Sequence, residues 1–228
     1  MKKILYPILL ITPLLFHTSC DKNTNHDDCN LIYSSVEMDS TKLNRKVLVI
    51  GLDGVRSDAM QQNSSPFLHS LSLTDDVYFT ASHEVELITY SGPNWSSILT
   101  GVHYDKHQVN DNSFGNPNYS EYSTFFEYIE AVETSINTAS IVNWTPINTH
   151  ILSTVIDFSP QTSMTDLEVF EQAQRILLNA NPLDADILFL HFDELDAAGH
   201  SYGFSIETPE YVETLNILDG YVETIFNT

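Results

Sequence analysis

Cations are scarce in this 228-residue chain: nine Lys plus Arg stand against 31 Asp plus Glu, a formal net charge of −22 at pH 7. A surface of that sign repels polyanions, which excludes nucleic-acid binding through a basic groove. Beyond Lys106 the sole Lys or Arg is Arg175, while acids continue to Glu223. Such an acidic face favours solubility by self-repulsion and assigns no function by itself. Cysteine is nearly absent too, with only Cys20 and Cys29, too few for a disulfide scaffold or a four-cysteine zinc site. What is there is a hydrophobic fraction of 42%, enough over this length to bury the core of one sizeable domain.

Met1-Lys2-Lys3 followed by the apolar run Ile4 to Phe16 has the charged start and short hydrophobic stretch of a secretory signal, too short for a permanent membrane span. His17-Thr18-Ser19-Cys20 resembles the lipobox of bacterial lipoproteins, although His17 stands where an aliphatic residue is usual. Two outcomes stay open: a lipid on Cys20 anchoring the chain to a membrane, or plain cleavage with a Cys20 to Cys29 disulfide. Both export the protein, and the first makes it a periplasmic or cell-surface lipoprotein of a bacterium. Residues 1–20 are therefore expected to be a signal peptide, and 21–44, rich in Asn, Asp, Ser and Thr, a polar linker. Residues 45–228 carry the fold.

Lys46-Val47-Leu48-Val49-Ile50-Gly51 reads as a strand buried on both faces, closed by glycine and followed by Leu52-Asp53-Gly54. Asp53 at a strand's carboxyl end suits either an ordinary turn or a cation site. Thr89 to Gly101 combines hydroxyls, a Gly92-Pro93 turn and an amphipathic helical run. Ser91 falls just before the helix start, where it either caps the helix or presents an attacking hydroxyl to the positive end of the helix dipole. No nucleophile elbow of the Gly-x-Ser-x-Gly type surrounds it, so a nucleophilic Ser91 would need a metal to lower its pKa. A second strand, Ala185 to Phe192, empties into Asp193-Glu194-Leu195-Asp196-Ala197-Ala198-Gly199-His200. Asp196 and His200, four residues apart, either aim at one ion or belong to an acidic surface loop.

In order, Leu52-Asp53-Gly54, Ser91-Gly92-Pro93-Asn94 with Leu99-Thr100-Gly101, and Asp196-x-x-Gly199-His200 resemble the alkaline phosphatase superfamily. The nearest branch is the type I phosphodiesterase and nucleotide pyrophosphatase group, whose pattern continues here through His107 and Asp111-Asn112. The resemblance implies an α/β fold with a doubly wound, mostly parallel sheet flanked by helices. It also implies hydrolysis of a phosphodiester or nucleotide substrate through a seryl-phosphate at Ser91, between two zinc ions. Asp53 and Ser91 would bind one ion; Asp196 and His200, again with Ser91, the other. Asn94 would donate a hydrogen bond to a phosphoryl oxygen. No arginine lies near Ser91, where the Cys/Ser-x-Pro-x-Arg pattern of sulfatases has one, and the nearest cation in sequence is Lys106, so the diester reading stands ahead of phosphomonoester or phosphonate hydrolysis.

The superfamily completes its metal sites with an Asp-His-Gly motif and a late histidine, and no histidine follows His200. The expectation is an N-terminal portion of the catalytic domain, weakly active or inactive alone, completed by a missing C-terminal half or a complementing chain. The alternative is a non-catalytic lipoprotein module that keeps half the fold. Helices are expected near Ser96 to Thr100, Phe125 to Val132, Asp166 to Ala180 and Pro209 to Phe226. The last presents Tyr211, Leu215, Leu218, Val222 and Ile225 as an apolar face. The Tyr-, Ser- and Asn-rich stretch 116–158 is either a specificity loop region or surface packing.

Overall fold

The computed structural model describes residues 46–153, 155–178 and 183–228. The signal and linker of residues 1–44 lie outside the described residues, as do Cys20 and Cys29. Three parallel strands form one sheet: β1 (Val47–Leu52), β2 (Thr138–Val142) and β3 (Ile187–Phe192), in the order β1-β3-β2. Parallel pairing requires crossovers, and helices supply them. In chain order these are α1 (Pro66–Ser72), α2 (Ser91–Thr100), α3 (Tyr104–His107), α4 (Phe125–Val132), α5 (Asp166–Leu177), α6 (Glu194–Tyr202) and α7 (Pro209–Phe226). A single π turn spans Ile147–Ile151.

The central strand β3 is buried at every position, and its period of two separates two hydrophobic layers. Leu188, Leu190 and Phe192 pack with Val169 and Ala173 of α5 and with Tyr211, Leu215 and Leu218 of α7. Ile187 and Phe189 face the other way, onto Trp95 and Leu99 of α2, Phe126 of α4 and Ile147 of the π turn. Helices on both faces make the sheet doubly wound, as expected. The same parity puts His191, the one polar residue of β3, on the α2 face, with its ring 4.7 Å from that of Trp95 and nearly perpendicular to it.

The apolar face read for α7 is buried at all five positions, together with Asp219. That carboxylate accepts the Phe67 and Leu68 backbone N–H groups at 2.8 Å each, satisfying the start of α1 from another helix. Asp166 does the same for α6: it accepts from the Asp193 and Glu194 N–H groups at 2.9 and 3.0 Å. Thr124 and Thr165 open α4 and α5 with capping boxes to Glu127 and Glu168.

Two expectations change. Helix α2 begins at Ser91, five residues before the expected start, because the Gly92-Pro93 pair sits inside its first turn. The stretch 116–158 is not a substrate loop but scaffold: it holds α4, the fully buried β2 and the π turn. On β2 the hydroxyls turn inside, as where Ser140 donates to Asn148 Oδ1 at 2.6 Å. Among the described residues, no helix is long and apolar enough to cross a membrane.

Candidate active site

Asp53, Ser91, Asn94, Asp196 and His200 all line one open cleft of about 920 Å³ at the carboxyl ends of β1 and β3. Asp53 leaves β1 with its N–H still bonded to the Phe192 carbonyl at 3.0 Å, so the sheet ladder fixes its backbone. Its Oδ2 accepts from Trp95 Nε1 at 2.8 Å and lies 3.6 Å from His191 Nε2. Burial opposes ionisation of this carboxylate, but His191, Trp95 and the Ser91 hydroxyl outweigh it and hold the pKa below its ordinary value.

Ser91 is the first residue of α2, after Tyr90 at the N-cap, and no side chain caps the helix locally. Ser91 is therefore not spent as a cap. That task falls partly to Asn112, whose Oδ1 accepts the Gly92 N–H at 2.7 Å. His107 is buried, with Nε2 2.9 Å from Ser97 Oγ and Nδ1 accepting the Val109 N–H at 3.1 Å. These two pattern residues brace the α2 segment and do not enter the cleft. Asn94 is anchored as well: its Nδ2 donates to the Ile88 and Tyr90 carbonyls at 2.9 and 2.8 Å, and its Oδ1 accepts the Glu86 N–H at 2.9 Å. In this conformation both amide hydrogens secure loop 86–90, and neither points to a substrate.

Asp196 and His200 sit one turn apart on α6, with Nε2 3.4 Å from Oδ2. Burial and the charge of Asp53 push Asp196 upward, against His200 and His191. Gly54, at φ +76°, permits the approach of α6 to β1: a Cβ there would lie 2.6 Å from the Asp196 Cα.

Three functional groups escaped the sequence reading. His191 is fully buried, and neither ring nitrogen has a hydrogen-bond partner. Asp53, His191 and Asp193 bring one donor atom each within 4.8 Å of one another. Burial, with Asp53, Asp196 and Asp166 adding to it and His191 opposing, raises Asp193 to about 6. The sequence signal for His191 was there, a lone imidazole in an otherwise apolar strand that empties into acids. Third, the cation at the cleft is Arg56, not Lys106. Asp58 engages Arg56 at 2.9 and 2.7 Å, and the Phe204 carbonyl accepts from it at 3.0 Å.

Half-buried carboxylates beside a buried, unpartnered imidazole fit a metal centre. Among the described residues Asp53, Asp193 and Asp196 form no ion pair with Lys or Arg, and the mixture of oxygen and nitrogen donors suits zinc among the divalent ions.

A murine ectonucleotide pyrophosphatase/phosphodiesterase 5, solved as an inactive variant with AMP, superposes at a TM-score of 0.62 with 17% identity, over 80% of this chain and 52% of its own. The human protein of the same name gives 0.57 at 15% identity, with the same coverage. Both share the fold. The bis(5'-adenosyl)-triphosphatase ENPP4 of Bos taurus is 27% identical over 175 residues, 69% of this chain and 38% of that protein. The chain thus spans about half the length of the solved relatives, at 52%, and less of the curated one. The model of the type I phosphodiesterase / nucleotide pyrophosphatase family matches residues 47–228, and the chain belongs to that family.

Proposed function

We propose that the chain forms the nucleophile-bearing part of a metal-dependent hydrolase of phosphodiester or pyrophosphate bonds in nucleotides. The observation that carries this reading is Ser91, which opens α2 without capping it and lines the same cleft as Asp53, Asp196 and His200. Asp53 and Ser91 would hold one zinc ion, and Asp196 and His200 the other. When bound, the pair would supply Lewis acidity, stabilising the serine alkoxide and the charge on the leaving oxygen.

The chain's own residues do the rest. Asp53, kept ionised with help from the neighbouring Ser91 hydroxyl, places a negative charge beside the start of α2. The start of α2 presents its dipole to the incoming phosphoryl group. Ser91 loses its hydroxyl proton to solvent and its Oγ bonds to phosphorus as the bond to the leaving oxygen breaks, that oxygen taking a proton from water; a second water then attacks the seryl-phosphate, releasing phosphate product and returning a proton to Ser91 Oγ. Among the described residues lining the cleft, Arg56 is the one Lys or Arg and its charge is already met by Asp58, which leaves little for the extra charge of a phosphomonoester and favours the diester. Asn94 can reach a phosphoryl oxygen only by releasing the Ile88 or Tyr90 carbonyl. Export with a lipid on Cys20, and completion by a C-terminal half or a second chain, belong to the same proposal.

The test is hydrolysis of a chromogenic phosphodiester with added zinc, beside Ser91→Ala. Loss of about 100-fold or more in kcat, with a phosphoryl adduct on Ser91 in acid-quenched wild type, is the expected result. Equal turnover by the two proteins would sink the seryl mechanism.

A further inference from the structure

We propose that His191 and Asp193 are direct ligands of a divalent cation together with Asp53, a donor set within this chain that the family resemblance does not assign. The inference rests on the reading of Asp53 as a metal ligand and extends it.

Three observations carry it. First, His191 is 0% exposed, and both Nδ1 and Nε2 lack a hydrogen-bond partner. Buried imidazoles nearly always spend at least one nitrogen on a neighbour, so two idle nitrogens in a packed strand call for a ligand. Second, the geometry fits. An ion with tetrahedral bonds of about 2.0–2.1 Å sets its donors about 3.3–3.4 Å apart. His191 Nε2 and Asp53 Oδ2 stand 3.6 Å apart, and the donor of Asp193 lies within 4.8 Å of both. A side-chain shift of a few tenths of an ångström would seat the first pair. Third, the scaffold aims the groups rigidly. β1 and β3 pair in register through Gly51↔His191 and Leu52↔Phe192, and the Trp95 ring packs edge to face on His191 while donating to Asp53. Asp193 is fixed by its N–H on the Asp166 carboxylate.

A rival role has His191 donate from Nε2 to Asp53 and merely orient it. The two roles differ in observables that need no turnover. In a direct site, zinc moves the His191 ring nitrogen resonance in long-range 1H–15N spectra, assigned by its absence from His191→Gln. Zinc affinity measured by calorimetry falls about 100-fold in that variant, at the upper end of what removal of an outer-shell partner does. His191→Leu adds a second reading: without zinc it melts at or above the wild-type temperature, because an unsatisfied buried group has been removed, yet it loses the zinc-induced rise. If His191 only orients Asp53, His191→Leu lowers the metal-free melting temperature and the ring resonance stays put in zinc. Absence of zinc binding, or binding with the ring unmoved, overturns the inference. Turnover with an unmoved ring would leave the hydrolase reading standing without this one, and a shifted ring without turnover would do the reverse.

Discussion

Gly54→Ala tests whether the contact between β1 and α6 sets the site's geometry. Gly54 sits at φ +76°, and a Cβ there would meet the Asp196 Cα at 2.6 Å and its N at 2.8 Å. The left-handed conformation alone costs an alanine about 1 kcal/mol. Forcing the backbone of α6 away adds about 1–3 kcal/mol of overpacking. The sum, about 2–4 kcal/mol, lowers the melting temperature by about 5–15 °C in a domain of this size. Gly101 is the built-in control, with φ +71° and nothing within 4 Å of a Cβ, so Gly101→Ala carries only the conformational cost and a drop of about 2–4 °C. Because the clash falls on Asp196 itself, Gly54→Ala should also weaken zinc binding about 10-fold or more, while Gly101→Ala leaves it unchanged. Scanning calorimetry and zinc titration on both variants decide the matter. Equal melting shifts and equal zinc affinities would refute the claim that this contact positions Asp196.

Other outcomes follow from the same geometry. Asp219→Ala strands the Phe67 and Leu68 N–H groups that its carboxylate accepts; urea unfolding should show a loss of about 3 kcal/mol, with Asp219→Asn between it and wild type. Asp193, raised to about 6 from an ordinary 3.8, binds its proton more tightly folded than unfolded. In chelator, the stabilisation from this group is complete below about pH 4 and falls by about 2–3 kcal/mol as pH rises through 6. Asp193→Asn removes that slope, and urea midpoints from pH 3.5 to 7.5 check it. A parallel slope in the variant would show that Asp193 is not the source.

Legibility along the sequence tracked side-chain chemistry. β1 and β3 were readable as strands because Val47-Leu48-Val49-Ile50 and Ile187-Leu188-Phe189-Leu190 are continuous apolar runs, but of the two only β3 is covered on both faces as expected; β1 lies at the edge of the described sheet, with Val47 49% and Leu48 37% exposed. β2 was not readable: Thr138-Ala139-Ser140 looks like surface, and only the fold supplies Asn148 and Asp157 to satisfy its hydroxyls. All five site residues read from sequence meet in one cleft because the motifs end strands or begin helices, where topology leaves side chains free. His191 and Arg56 were missed for opposite reasons. A histidine inside an apolar run passes for core, and an arginine three residues after Asp53 reaches the cleft only through a turn that local pattern does not specify. Asn94 was legible as a position, but its engagement with loop 86–90 needed coordinates.

The strand order has a kinetic consequence. Asp53 and His191 are separated by most of the domain in sequence and become neighbours only when β1 docks on β3 through the Gly51↔His191 register. Pairing this distant carries a large loop-closure cost and belongs late on the folding path. A cation held between those strands therefore finds no half-made nest in the unfolded chain and cannot seed the collapse. Its stabilisation would appear almost wholly in the unfolding limb of a chevron, leaving refolding untouched. Zinc would then act as a latch on a finished sheet, lengthening the lifetime of the native state rather than hastening its arrival.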